Sequence, residues 1–257
     1  MRNFRSLDAQ KVIETIAALE RRIGERFPGA GLRAVGGELL SIARESSQRA
    51  HAIGKTNTAL RVLVFVFLLG SVWVLAWIAS LIDFTRTSAD NVYSVLQGIE
   101  AAANLAVLMG AAVFFLVRIE ERVKRRRALS ALHELRSIVH VIDMHQLTKD
   151  PSGSVSIGGS TLSSPARLLS RFELSRYLDY CSEMLSLTSK VAVLYAQSFP
   201  DTEVTDAVSD IERIAAGLSQ KIWQKIMILQ AAGIEADKPV ASPMPAAGAL
   251  AQPQAAG

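Results

Sequence analysis

The sequence predicts an all-α fold, in which a transmembrane hairpin of two spans is joined to a cytoplasmic helical bundle with coiled-coil-like seams. Two apolar runs lie in the first half of the chain, and each is long enough to cross a bilayer as a helix. Lysine and arginine flank these runs on their outer sides and are nearly absent between them. The rest of the chain repeats apolar residues at the three- and four-residue spacing of amphipathic helices.

The first apolar run, residues 62–82, reads VLVFVFLLGSVWVLAWIASLI and contains no charged residue. As a helix it would measure about 31 Å, which matches the hydrocarbon thickness of a bilayer. The second run, residues 101–117, reads AAANLAVLMGAAVFFLV. We therefore predict spans over 61–83 and 100–118, joined by a short external loop over 84–99. The first span begins too late for a cleaved signal peptide and is expected to be an uncleaved signal-anchor.

The placement of basic residues predicts the orientation of the spans. Between the two runs, Arg86 is the only lysine or arginine. The nearest ones before the first span are Arg44, Arg49, Lys55 and Arg61, and the nearest after the second are Arg118, Arg122, Lys124, Arg125, Arg126 and Arg127. By the positive-inside rule, both termini are cytoplasmic.

The six basic residues after the second span are predicted to lie at the membrane surface, where each would gain about 1 kcal/mol from anionic lipid headgroups. Fixing the topology is a sufficient alternative role for them. Nucleic acid is not expected as a partner, because aromatic residues are absent from the Lys124–Arg127 run, which would be held against the bilayer.

Residues 1–60 are predicted to form two cytoplasmic helices. The first covers 7–27 and carries an apolar seam of Val12, Ile16, Leu19 and Ile23. Asp8 is its candidate N-cap, and Pro28 and Gly29 end it. The second helix runs from Leu32 to about Gly54 and meets the first span at a soft joint.

The second span is predicted to continue without a break into an extension helix over 119–147, because no proline or glycine interrupts it. A Ser/Gly-rich loop follows over 148–164, then a helical hairpin over 165–234 and a disordered Ala/Pro-rich tail over 235–257. The apolar stripe of the extension helix is Leu129, Leu132, Leu135, Val139 and Ile142.

The predicted C-terminal hairpin begins at Ser170, which has capping-box spacing to Glu173, although the pair at 164–165 offers an earlier start. Residues 199–201 end the first helix of the hairpin, and Asp201 is a candidate N-cap of the second. The apolar face of the first helix is Phe172, Leu178, Met184, Leu185, Leu187, Val191 and Leu194, and that of the second is Val204, Val208, Ile211, Ala215, Leu218, Ile222 and Leu229. The single cysteine, Cys181, is expected to be a packed hydrophobe.

Small residues predict how the two spans pack. Ala102, Ala106 and Gly110 recur every four residues, a pattern that lets a neighbouring helix approach closely. We predict that the rings of Trp73 and Trp77 lie over Ala106 and Gly110.

Two polar residues, Glu100 and Asn104, lie four apart at the outer end of the second span. They are expected to be an interfacial carboxylate and an interhelical amide, the latter bonded to Ser80. The alternative is an ion site.

Four residues on the extension helix are candidates for chemistry: His133, His140, Asp143 and His145. His133 and His140 are two turns apart, too far along the helix axis to share a metal alone. Asp143 could pair with Arg136 or His140. A polar network between helices is the preferred interpretation, and a metal or acid–base site is the alternative.

Four blocks of the sequence carry a resemblance: FPGAGLRAV, LRSIVHVIDMHQLTKDP, RYLDYCSEMLSL and IAAGLSQKIWQKIMIL. They resemble those of an uncharacterised family of bacterial two-span membrane proteins, over nearly the whole chain except the tail. The resemblance implies a bacterial inner-membrane protein and brings no activity with it. Its blocks contain polar residues that become functional candidates without an assigned role: His140, Asp143, His145, Lys149, Asp150, Trp223 and Lys225.

Three functions are considered. The first is a non-enzymatic scaffold or tether, which would bind a protein partner or further copies of itself through the cytoplasmic helices. The second is an oligomeric channel or transport component with Glu100 and Asn104 near the pore mouth. The third is a membrane-bound metal or hydrolytic enzyme that uses His140, Asp143 and His145. No cofactor is expected, since the chain carries no P-loop, nucleophile elbow or dinucleotide fingerprint.

Overall fold

The computed structural model describes residues 5–55, 58–81, 89–149 and 169–236. This part of the chain forms six α-helices and no strand, which confirms the all-helical prediction. The helices are α1 (Ala9–Arg26), α2 (Gly31–Gly54), α3 (Thr58–Leu81), α4 (Ala89–Leu147), α5 (Arg171–Ser198) and α6 (Thr202–Ala236).

The first two helices follow the predicted bounds closely. Asp8 caps α1 by accepting the backbone N–H groups of Gln10 and Lys11. The predicted seam of α1, from Val12 to Ile23, is buried. These agreements are expected, because helix caps and apolar seams depend on residues that are close together in the sequence.

The central helix is α5, which contacts α1, α2, α4 and α6. It begins with the predicted Ser170–Glu173 capping box and ends at Ser198. Asp201 then accepts the N–H groups of Glu203 and Val204 and so caps α6, as predicted.

Two predicted core residues of this hairpin are not fully buried. Leu218 is half-buried, and Phe172 is 59% exposed. Phe172 lies in the first turn of α5, at the edge of the bundle, where the guanidinium groups of Arg26 and Arg176 stack on its ring. The correction follows from this edge position, which helical spacing alone does not reveal.

The longest helix, α4, is continuous over 59 residues. Its continuity confirms that the apolar run extends directly into the bundle. The helix begins earlier than predicted, however, because residues 89–99, assigned to the external loop over 84–99, are helical. This segment has no proline, and Leu96 and Ile99 extend the apolar pattern, so helix propagation continues through the single glycine at 98. Residues 82–88 lie outside the described part.

Five helical segments form the bundle: α1, α2, residues 125–147 of α4, α5 and α6. At one end, which we call the junction end, Gly54 approaches Ser198 and Arg125 pairs with Asp201. At the opposite end, the rings of Phe27 and Tyr177 meet edge to face at 5.6 Å. α2 and α5 therefore run towards the junction end, while α1, α4 and α6 run away from it.

One described stretch, Leu96–Leu147, contains a window long and apolar enough to cross a membrane, with a mean hydropathy of 2.0 and only 6% of its residues buried. In α3, the apolar stretch described with its side chains, Val62–Val74, is shorter than a span. The structure thus gives one span-length apolar helix, and the two-span hairpin stays a prediction.

Three predictions fall on residues that the structure does not describe. The Ser/Gly-rich loop over 148–164 lies almost wholly within 150–168, as does the alternative helix start at 164–165. The predicted tail lies almost wholly within 237–257.

Candidate functional site

The candidate site is the junction end, where α2 finishes beside the point at which α4 enters the bundle. The Lys124 ammonium group donates to the backbone carbonyl of Lys55, at 3.0 Å. Lys55 is the C-cap of α2, so Lys124 provides the cation that a helix C-terminus favours. Lys124 also pairs with Glu120, one turn earlier on α4, at 2.7 Å.

Arg125 joins α4 to the turn between α5 and α6. Its guanidinium lies 2.6 Å from the carboxylate of Asp201 and 2.7 Å from that of Glu203. The hydrogen bond to Asp201 raises the pKa of Arg125 above its ordinary value. Because the Asp201 side chain is only 12% exposed and also caps α6, this contact fixes the α5–α6 turn against α4.

A second ion pair joins α2 to α4. Arg49 lies 2.8 Å from Glu134 on α4 and 2.6 Å from Glu45 on its own helix. The hydrogen bond to Glu134 raises the pKa of Arg49. Its charge is thus shared between two carboxylates at the inner edge of the junction end.

The six basic residues predicted to lie at the membrane surface divide into two groups. Arg118, Lys124 and Arg125 form ion pairs within the protein, the first with Glu121 at 3.2 Å. Arg122, Arg126 and Arg127 are exposed, and none of them forms an ion pair with another residue in the described ranges. Only the second group has its full charge available to a partner. The pairs of Arg118 and Lys124 are local, at three- and four-residue spacing, but that of Arg125 could not be predicted from sequence, because Asp201 is distant along the chain.

A cavity of about 790 Å³ opens at the junction end between the last turn of α2 and one face of α4. At the end towards the apolar half of α4 its lining is apolar, with Leu116, Ile119 and Val123. Towards the bundle its lining is charged, with Lys55, Arg127 and Glu134 among the residues. The cavity is therefore amphipathic along its length. Its basic lining could not be identified by spacing, since Lys55 and Arg127 come from opposite sides of the two apolar runs.

The four candidates for chemistry on α4 do not come together. His133 and His140 are exposed, whereas Asp143 and His145 are half-buried. Asp143 accepts a hydrogen bond from Gln146 at 2.5 Å, and not one from Arg136 or His140. The Nδ1 atom of His145 lies 3.4 Å from the Tyr177 hydroxyl. Among the described residues, no group of three histidine, cysteine, aspartate or glutamate side chains is placed to hold a metal.

The polar network predicted between helices instead centres on Gln146 and Lys225. The Lys225 ammonium group donates to the side-chain oxygen of Gln146 at 2.6 Å and to its backbone carbonyl at 3.1 Å. Lys225 was a candidate through the resemblance, whereas Gln146 was missed, although it is buried. Its position one turn after Ile142, on the buried side of α4, is the signal that would have identified it.

The remaining resemblance candidates are scattered. Lys149 lies over the Tyr177 ring at 5.5 Å, and Trp223 is 59% exposed on α6. Asp150 lies outside the described residues.

The predicted packing of the two apolar helices is wrong in its details. Trp73 and Trp77 stack on each other, with ring centroids 6.5 Å apart, and both are mostly exposed. No described atom lies within 4 Å of a Cβ placed on Gly110, so neither ring covers it. Ala106 is also exposed, and the less exposed stripe of α4 contains Ala102, Leu105, Met109, Ala112, Val113 and Leu116. Of the three predicted small residues, only Ala102 therefore lies on the less exposed side of the helix.

Glu100 and Asn104 are both exposed on α4. The Ser80 hydroxyl donates to the carbonyl of Trp77 in its own helix, at 2.7 Å, and not to Asn104. A hydroxyl within an apolar helix commonly satisfies itself in this way.

No protein-family model matches the chain, and searches of curated proteins and of solved structures return no match. The resemblance to the bacterial two-span family stays a prediction.

Proposed function

We propose that the protein is anchored in the bacterial inner membrane by a two-span hairpin and that its cytoplasmic bundle is a non-enzymatic scaffold or tether. The observation that carries this proposal is the position of the exposed apolar surface. Val107 and Phe115 on α4 are 71% and 65% exposed, whereas the bundle buries most of its own apolar residues. A lipid bilayer would cover the exposed surface without any rearrangement of the bundle.

The connection at the junction end supports the hairpin. α2 ends beside α4, and α3 starts at Thr58, three residues after Lys55. The contact between Lys124 and the Lys55 carbonyl brings the last turn of α2 to the first basic cluster of α4. Both apolar helices can then enter the bilayer side by side, with the charged residues at its surface.

A surface at the far end of the bundle supports the scaffold. Met144 and Leu147 on α4 are 63% and 55% exposed, and Trp223 and Met227 on α6 are 59% and 47% exposed. The two helices are in contact here through Gln146 and Lys225. Exposed aromatic and methionine side chains are enriched at protein interfaces, so this surface suits a protein partner.

Topology is tested with single cysteines and a membrane-impermeant maleimide. Gln97→Cys lies in α4, just before the second apolar run, and Gln220→Cys lies on the bundle; both positions are exposed. We expect labelling of Gln97→Cys in intact spheroplasts and of Gln220→Cys only after lysis. Wild-type protein is the blank, because Cys181 is fully buried and burial raises its pKa to about 12. Labelling of Gln220→Cys from outside would overturn the anchor orientation.

The scaffold is tested by a photo-crosslinking amino acid at Trp223, with Glu212 on the same helix as the matched exposed control. We expect one discrete cross-linked species from position 223 and none from 212. The mass of the purified protein in nanodiscs provides the second measurement. A ring of many copies would favour the channel and overturn the scaffold. Equal cross-linking at both positions would also overturn the scaffold, because it would show no specific partner surface.

A further inference from the structure

We infer that the cavity at the junction end is a binding site for one anionic phospholipid, whose phosphate lies between Lys55 and Arg127. This inference rests on the proposed membrane anchor and adds to it a specific ligand. Diffuse attraction of basic residues to a charged surface would need no cavity, whereas the structure has one of about 790 Å³.

The charges that line the cavity favour an anion. Arg49 and Lys124 are matched by carboxylates of the same lining, Glu134 and Glu120. Lys55 and Arg127 form no ion pair within the described ranges and are exposed. Two cationic groups therefore remain unmatched on opposite walls, one on the end of α2 and one on α4. A phosphate placed between them could accept hydrogen bonds from both.

Lys124 removes an obstacle to anion binding. The last turn of α2 lines the cavity, and the partial negative charge of a helix C-terminus repels an anion. The Lys124 ammonium group donates to the carbonyl of Lys55, the C-cap of α2. The negative end of α2 is thus partly neutralised from within the protein, and the charges of Lys55 and Arg127 stay available.

The apolar end of the cavity favours a lipid over a free anion. Leu116, Ile119 and Val123 follow one face of α4, at three- and four-residue spacing. From Leu116 to Arg127 the helix rises about 16 Å, which separates an apolar site from a cationic one along the same groove. A phospholipid has this polarity, with its acyl chain towards the apolar half of α4 and its phosphate towards the bundle.

The test is native mass spectrometry of the full chain released from detergent, with added palmitoyl-oleoyl-phosphatidylglycerol. We expect wild type to retain one lipid and the Lys55→Gln/Arg127→Gln variant to bind it about tenfold more weakly, as for the loss of two partly exposed charge contacts. The matched control, Arg122→Gln/Arg126→Gln, removes the same charge outside the cavity lining and should bind within twofold of wild type. Equal weakening in both variants would overturn the site and leave diffuse attraction only.

Two further arms define the ligand. Ile119→Ser/Val123→Ser should weaken phosphatidylglycerol binding several-fold, and unchanged binding would overturn the acyl-chain contact. Binding of phosphatidylcholine as tight as that of phosphatidylglycerol would overturn selectivity for an anionic lipid. Displacement of phosphatidylglycerol by millimolar inorganic phosphate would overturn it as well. Wild type that is carbonate-resistant in membranes but retains no phosphatidylglycerol disproves this inference alone, whereas extraction of wild type by carbonate disproves the anchor.

Discussion

The two halves of α4 are one continuous helix in opposite surroundings. In the first half, Leu108 and Phe115 are 67% and 65% exposed, and in the second, Leu135 and Ile142 are fully buried. Both halves carry apolar side chains, but only the second gathers most of them in one buried stripe and places charges on its other faces. The difference shows that apolar side chains favour burial of a helix, whereas their distribution around the helix axis decides whether protein or lipid suits its surface.

The largest effect is expected in the bundle half. Leu135→Ala should lower the free energy of unfolding by about 2–5 kcal/mol, because it leaves a cavity in a closely packed core. Leu108→Ala removes the same atoms from an exposed position, where about 0.5 kcal/mol or less is expected. Chemical denaturation in mild detergent measures both. Equal losses of unfolding free energy in the two variants would mean that Leu108 is packed against protein. The two halves of α4 would then not differ in their surroundings.

The next effect is specific to the apolar half. Leu108→Arg should oppose insertion by about 2.5–3.5 kcal/mol, the range for a charge near the centre of a span. Val141→Arg, at an apolar position of the bundle that is 41% exposed, should leave insertion unchanged. The measurement is maleimide labelling of Gln220→Cys in intact spheroplasts. Labelling there reports a bundle that lies on the outer side of the membrane. If neither arginine changes the labelling, α4 does not cross the bilayer.

A smaller loss is expected at the boundary between the halves. Asp201→Ala removes the cap of α6 and the partner of Arg125, and loss of the cap alone is expected to cost about 0.5–2 kcal/mol. Asp206→Ala, an exposed position one turn further along α6, is the control and should change stability little. Thermal unfolding of the two variants side by side gives the comparison. A stable Asp201→Ala protein would show that the Arg125 contact does not fix the turn.

The smallest effect is a pH dependence confined to the bundle. Burial raises the pKa of Cys181 to about 12 from its ordinary value near 9, so only the unfolded chain ionises between these pH values. The contribution of this thiol to stability should be constant below pH 9 and then fall with rising pH, by up to about 1.4 kcal/mol per unit.

The stability of the Cys181→Ala variant should fall less steeply with rising pH than that of wild type over the same range. Tyr177, whose pKa burial also raises, still contributes in both proteins. Urea midpoints at pH 8, 9 and 10 give the two slopes. Identical slopes would show that the thiol meets water in the folded state.

Local signals predicted the helices well. The Asp8 cap, the Ser170–Glu173 box and the buried seam of α1 all follow from residues within a few positions of one another. A proline-free continuation predicted that α4 would be unbroken, and the same rule, applied further back, would have placed its start before residue 100.

Contacts between distant segments were predicted poorly. Small residues suggested that Gly110 would meet tryptophan, yet no described atom fills the space beside it. The basic cluster looked uniform in sequence, but Arg125 is paired with Asp201 and Arg127 is exposed in a cavity wall. Such differences depend on the rotation of each helix about its axis, which is set by the packing of all its neighbours together.

The sequence by itself determined that this chain is helical, where its helices are capped and which stripes they bury, because these properties depend on backbone geometry and side-chain spacing over one or two turns. Only the tertiary structure decided that Lys55 and Arg127 line one cavity and that Arg125 does not share their role. The physical reason is that charge becomes available to a ligand only where folding leaves it unpaired, and pairing is settled by residues far apart in the chain.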